Sequence, residues 1–259
     1  MTESYVKFEE IGPQVIQLTL QSPNSLNALS SAGLREFRSS VERVRQSPDV
    51  RVLVITGSGK AFCAGADLKE IQNFTPESAR EFSLFGHQTF SILESLRCPV
   101  VAALNGHAMG GGLELACSCD LIWASTDALL GQPENKVGMI SGWGGTFRLA
   151  ERVGVGQAKQ LLFTARAITA EEALRIGLVD KTIPAETFSQ EVQALCREIA
   201  SNAPLAVRLS KSMVNRYRTD RQKGAAVEAQ ALFECVVSDD QTEGVIAFLG
   251  KRRPKFSGR

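Results

Sequence analysis

Val52-Leu53-Val54-Ile55-Thr56 is apolar at nearly every position, and a turn-rich stretch follows it: Gly57-Ser58-Gly59-Lys60-Ala61-Phe62-Cys63-Ala64-Gly65-Ala66-Asp67. A strand that is apolar on both of its alternating faces belongs in a parallel sheet covered by helices on each side. Pro99–Leu104 and Asp120–Ala124 have the same character. Between the first two lies a helical pattern over Pro76–Leu96, so the strand–loop–helix unit at 52–97 is echoed at 99–118. Strands separated by helices imply parallel crossovers, and the fold class is α/β.

Working outward, Val6–Glu10 and Val15–Leu20 read as strands around the turn Gly12-Pro13. Leu34, Phe37, Val41 and Val44 recur at helical spacing, which predicts an amphipathic helix over Ser31–Gln46. Past the third strand the pattern predicts helices over Gly145–Arg152 and Gln157–Phe163. A capping-box helix then opens at Thr169-Ala170-Glu171-Glu172 and closes near Gly177, and Leu178–Ile183 reads as a short strand. From Ala185 onward the pattern is helical almost to the end, with a hinge at Ser201-Asn202-Ala203-Pro204. These features predict a core over 1–200 and a helical segment over 201–259.

Composition narrows the function. The 259 residues carry 29 basic and 28 acidic side chains, net +1, so no global field steers the chain to nucleic acid or an anionic membrane. None of the six cysteines forms a Cys-x-x-Cys pair, and only two histidines exist, His87 and His107. That argues against a zinc site and reads Cys117 and Cys119 as small buried thiols. No stretch is apolar enough to span a membrane, and the N-terminal residues resemble neither a secretion signal nor a transit peptide. Free thiols fit a cytoplasmic location.

Two glutamates stand out. Glu114 lies in Met109-Gly110-Gly111-Gly112-Leu113-Glu114-Leu115-Ala116, and Glu134 in Gly131-Gln132-Pro133-Glu134, shortly before Gly142-Trp143-Gly144-Gly145-Thr146. The triple glycine admits two readings. One is tight helix–strand packing. The other is an oxyanion hole from a backbone N–H at a helix start, with a second donor in Cys63-Ala64-Gly65-Ala66-Asp67. Glu114 sits in an inward-facing apolar run, where a carboxylate must be paired or serve a purpose. Two carboxylates on one cavity divide acid and base roles. Other chemistries fit less well. Gly138-Met139-Ile140-Ser141-Gly142 is no nucleophile elbow, Gly57-Ser58-Gly59-Lys60 is no P-loop, and Val153-Gly154-Val155-Gly156 lacks the third glycine of a dinucleotide fingerprint.

These blocks, together with Thr169-Ala170-Glu171-Glu172-Ala173 and Gly177-Leu178-Val179-Asp180, resemble the signature blocks of the crotonase (enoyl-CoA hydratase/isomerase) superfamily nearly end to end. The resemblance implies a spiral of ββα units with a helical C-terminal trimerisation segment, in a homotrimer or a dimer of trimers. It implies an acyl-CoA thioester substrate and no metal or redox cofactor, coenzyme A being part of the substrate. Carried over by position, the N–H groups of Ala66 and Gly111 would bind the thioester oxygen. Ala64, Asp67 and Leu68 would line the adenine and pantetheine path, and Lys251 would approach the CoA phosphates. Gly142 and Trp143 fall in the acyl region.

Hydratases of the superfamily are similar in keeping both glutamates, which makes hydration of a trans-2-enoyl-CoA the favoured activity. Glu114 would draw a proton from water, and Glu134 would deliver one to the α-carbon. A sibling reaction (isomerase, decarboxylase or hydrolase) and a non-catalytic acyl-CoA or RNA binder are the competing readings. Ser141 stands where many relatives have proline, and Trp143 where many have a small residue. Trp143 would either shorten the acyl pocket or pack away from the ligand.

Overall fold

The computed structural model describes residues 4–22, 26–217 and 221–258, side chains of 216–226 excepted. Six strands form the larger sheet: β1 (Val6–Gly12), β2 (Val15–Leu20), β3 (Val52–Gly57), β5 (Val100–Leu104), β7 (Leu121–Ser125) and β10 (Lys181–Ile183), side by side in that order. β1 and β2 pair antiparallel, and every later pairing is parallel. A smaller sheet holds β4 (Ala61–Cys63), β6 (His107–Met109), β8 (Leu129–Gly131) and β9 (Ala167–Thr169). Its first three strands are parallel, and β9 is antiparallel to β8.

The helices are α1 (Ser31–Gln46), α2 (Leu68–Ile71), α3 (Pro76–Ser95), α4 (Gly111–Cys117), α5 (Gly145–Thr164), α6 (Ala170–Arg175), α7 (Phe188–Ala200), α8 (Pro204–Tyr217), α9 (Arg221–Val236) and α10 (Asp239–Leu249). A long strand, a short strand and helix repeat as β3-β4-α2/α3, β5-β6-α4 and β7-β8-α5. The first strand of each unit joins the large sheet and the second joins the small one. This is the spiral of ββα units that the resemblance implies.

The alternation along β3 explains its composition. Leu53 and Ile55 face one core with Phe37 of α1 and Phe90 of α3, while Val52 and Val54 face another with Phe188, Val192 and Cys196 of α7. Asp120 accepts the Val100 N–H at 2.7 Å and pairs with Lys211 of α8 at 2.7 Å. Lys211 also donates to the Leu93 and Cys98 carbonyls at 3.0 and 3.1 Å, which fastens the C-terminal helices to the core.

Two sequence expectations change, and one holds with a kink. The four strands of the small sheet were not expected from the sequence, because three residues are too few to show a period. The two helices expected over Gly145–Arg152 and Gln157–Phe163 are both present and meet in α5 across a kink at Gly154, whose φ is +78°. The strand expected over Leu178–Ile183 is confined to Lys181–Ile183. Residues 218–220, inside the long helical stretch expected after Ala185, lie outside the described residues.

Candidate active site

The small sheet presents the site. The C-terminal ends of β4, β6 and β8 lead directly into Ala64–Asp67, Gly110–Gly112 and Gln132–Glu134. Parallel strands collect their functional groups at this end because each following turn emerges beside the next.

The first two turns nearly touch. A Cβ added to Gly111 would lie 3.3 Å from the Ala66 nitrogen, and one added to Gly65 would lie 3.2 Å from the Gly111 nitrogen and 2.9 Å from the Met109 carbonyl. Gly65 and Gly110 have φ of +104° and +50°, so both glycines are required by backbone angle as well as by space. Gly111 opens α4, where the first N–H groups have no carbonyl a turn earlier to reach. Ala66 bridges to Leu29, but the flanking groups make the bonds: Leu29 N–H donates to the Gly65 carbonyl at 2.7 Å and Asp67 N–H to the Leu29 carbonyl at 3.1 Å. The Ala66 N–H stays out of that ladder.

Glu114, one turn into α4, is 2% exposed. Its Oε1 accepts the N–H groups of Trp143 and Gly145, both at 2.7 Å. Burial pushes this carboxyl up, opposed by the Gly145 and Trp143 donors and by the Arg148 cation. Glu134 opens a 3₁₀ turn, Glu134–Val137, past β8. Its carboxylate reaches back to the triple glycine, where a Cβ on Gly110 would lie 3.1 Å from Oε1. Burial first, and then the charge of Glu114, raise Glu134 to about 7. Buried Gln132 places its amide against Glu134, and with the amide oriented to satisfy its neighbours the nitrogen donates to Oε1 and Oε2 at 2.8 and 3.0 Å.

A single cavity of about 810 Å³ brings Ala66, Gly111, Glu114 and Glu134 together with Ala64, Leu68, Gly142 and Trp143. Two of the expected contacts lie elsewhere. Asp67 caps α2, accepting the Lys69 N–H at 2.9 Å, and Lys251 follows α10 on the surface. His107 accepts the Leu129 N–H on Nδ1 at 3.1 Å. Cys117 and Cys119 are buried, and the Cys117 thiol is pushed up to about 12 by that burial.

Sequence reasoning gave no role to Gln132 or to the Trp143 and Gly145 N–H groups. Backbone donors leave no side-chain signature, and the only available signal was the run of glycines that lets the turn approach Glu114. Arg148 was also missed. Its guanidinium is buried behind this turn, donating from Nη1 to the Trp143 carbonyl at 2.7 Å and from Nε to Glu94 at 2.6 Å.

Comparison with known proteins places the family and the fold. Residues 10–259 match the family model described as Enoyl-CoA hydratase/isomerase. The chain is 45% identical over 241 residues to a crotonyl-CoA hydratase of Syntrophomonas wolfei, spanning 92% of this chain and 93% of that protein. It is 42% identical over 242 residues to a short-chain-enoyl-CoA hydratase of Clostridium acetobutylicum, spanning 93% of each. The crystal structure of an enoyl-CoA hydratase from Bacillus anthracis superposes with a TM-score of 0.96 at 37% identity, over 99% of this chain and 100% of that one. With its spiral of ββα units and its paired glutamates beside a glycine-rich turn, the chain belongs to the enoyl-CoA hydratase/isomerase (crotonase) family.

Proposed function

We propose that this enzyme hydrates trans-2-enoyl-CoA to 3-hydroxyacyl-CoA. The observation that carries the proposal is the convergence of two carboxylates and the Ala66 and Gly111 turns on one cavity. The thioester oxygen accepts from the Ala66 and Gly111 N–H groups. A water lies between Glu114 and Glu134. Glu114 takes its proton as the oxygen bonds to C3, and the π electrons move through C2 to the thioester oxygen. The enolate then takes a proton from Glu134 at C2. Each amide donor contributes about 3 kcal/mol to such a charge, roughly 10²–10³ in rate.

The two environments fit this division. Burial raises Glu114, and the two N–H donors on Oε1 oppose that rise by favouring the ionised form, which a base needs. Glu134, raised to about 7, keeps its proton near neutrality and can give it up. The scheme calls for no metal or redox cofactor, since coenzyme A arrives with the substrate.

In the same reading the protein is a homotrimer or a dimer of trimers. Support comes from the apolar surface of α9 and α10, where Leu232, Phe233, Phe248 and Leu249 are 64, 58, 83 and 75% exposed. Patches of this kind mark protein interfaces. Asp67 and Lys251 would then meet coenzyme A outside the cavity. No helix among the described residues is long and apolar enough to cross a membrane. A reducing cytoplasm suits the free thiols.

The test is direct. Pure protein mixed with crotonyl-CoA should bleach the enoyl absorbance. Absence of turnover with short, medium and branched enoyl-CoAs would overturn the reading.

A further inference from the structure

Glu134 rides at the start of an excursion of the chain that packing does little to hold. Gln132 leads into it directly from β8, and Ser141 ends it. Between them residues 135–138 and 140 are exposed, and Gly138 turns the backbone with φ of +73°. The two ends, by contrast, are buried: Gln132 is 1% exposed and Ser141 8%.

Those ends are joined. The Gln132 nitrogen that donates to Glu134 also lies 3.2 Å from the Ser141 Oγ. An amide nitrogen carries two hydrogens that point in different directions. The two carboxylate oxygens lie side by side and take one, and the Ser141 hydroxyl takes the other. The same pair borders the second carboxylate. A Cβ on Gly145 would lie 2.8 Å from the Gln132 amide and from Cβ and Oγ of Ser141, and the Gly145 N–H holds Glu114 at 2.7 Å. Gln132 and Ser141 thus stand between Glu134 and the turn that fixes Glu114.

We propose that Ser141 is a positioning residue: its hydroxyl fixes the Gln132 amide, and through that amide it holds the Glu134 carboxyl in place against Glu114. The inference rests on the hydratase reading for what the two carboxylates do, but not for the hydrogen bonds. Proline, which many relatives carry here, has no hydroxyl to offer. Without one, a buried N–H loses its partner and the amide is free to swing. The donor it presents to Glu134 then weakens. An N–H donor favours the ionised carboxylate, so loosening it favours the protonated one.

The test reads the carboxyl first and the reaction second. Carbon-13 NMR of glutamate-labelled protein follows Glu134 in the wild type, Ser141→Ala, Gln132→Met and the double variant. In Ser141→Ala the Glu134 carboxyl should titrate higher by at least about half a pH unit. Gln132→Met should raise it by as much or more. Adding Ser141→Ala to Gln132→Met should move it no further, because the hydroxyl acts through the amide. The other titratable groups lining the cavity, Glu114 of α4, His87 of α3 and Lys136 of the 3₁₀ turn, are the same in all four proteins. In crotonyl-CoA hydration Ser141→Ala should lower kcat about fivefold with KM within about twofold, since the thioester contacts are untouched. Ser141→Pro, with the same expected titration, serves if the alanine variant fails to fold. A Glu134 carboxyl that titrates at or below its wild-type position in Ser141→Ala, a shift that survives in the Gln132→Met background, or an unchanged kcat in an active enzyme would overturn the inference. A shift that depends on the amide, in a protein that hydrates no enoyl-CoA, would instead count against the hydratase reading alone.

Discussion

Arg148 and Gly144 share one space: a side chain on Gly144 would fall on the Arg148 guanidinium. Gly144 has φ of +108°, and its two neighbours supply the N–H groups that hold Glu114. Arg148 closes this turn from behind through the Trp143 carbonyl, and its fork is completed by Glu94 at 2.6 and 3.2 Å. Replacing Arg148 by Met leaves that buried carbonyl without a donor, at a cost of about 1–3 kcal/mol. Glu94, with its side chain 41% exposed, returns to water and adds little. The turn loosens, so kcat should fall about tenfold or more while the protein still folds. Urea titration together with steady-state kinetics checks both halves.

Glu114→Gln keeps the shape of the side chain and removes the base. Hydration should drop by about 10²–10⁴, the usual range for a lost acid–base group. An isomerase working through Glu134 alone would keep most of its activity in this variant. Glu134→Gln should also abolish hydration, since C2 then has no proton donor. The enoyl absorbance assay distinguishes these cases.

The pH dependence has a definite sign. Glu134 is raised to about 7 in the folded protein, above the ordinary value of 4.5, so the folded state holds a proton that the unfolded chain has released. Its contribution to stability is complete below pH 4.5 and is lost as pH rises toward 7. Carbon-13 NMR of glutamate-labelled protein should show one carboxyl titrating near 7, absent in Glu134→Gln. In Glu114→Gln the same resonance should titrate lower, because the charge that adds to burial in raising it is gone. A carboxyl near 7 that survives Glu134→Gln would sink the assignment.

Gly86→Ala sets two effects against each other. Alanine improves helix propensity by up to about 1 kcal/mol. The new methyl meets the Trp143 indole, which has nowhere to go, and overpacking of that kind costs about 1–3 kcal/mol. The collision wins, and the variant should be less stable. In a Trp143→Leu background the penalty should vanish or reverse, and thermal denaturation of the four proteins in that cycle measures the coupling.

The parts of the fold legible in the sequence were those with a long enough period. Leu34, Phe37, Val41 and Val44 predicted α1 to the residue, and the doubly apolar β3, β5 and β7 gave away a parallel sheet. The small sheet was not legible, because Ala61–Cys63, His107–Met109 and Leu129–Gly131 are too short for alternation to register. At the site, Glu114, Glu134 and the triple glycine announced themselves through burial of a charge and through backbone freedom. The donors that hold Glu114 did not, since any residue but proline carries an N–H. Trp143 was visible as an oddity whose direction the sequence left open; Gly86, 57 residues earlier, decides it only once the two are seen side by side.

The division of labour between the two sheets bears on how such a protein can change. Its mass is organised by the broad sheet, whereas the proposed reacting groups are carried on the turns that leave three three-residue strands of the narrow one. Substitutions there can retune the chemistry while leaving the frame standing, so new activities are within reach of a handful of exchanges in the turns.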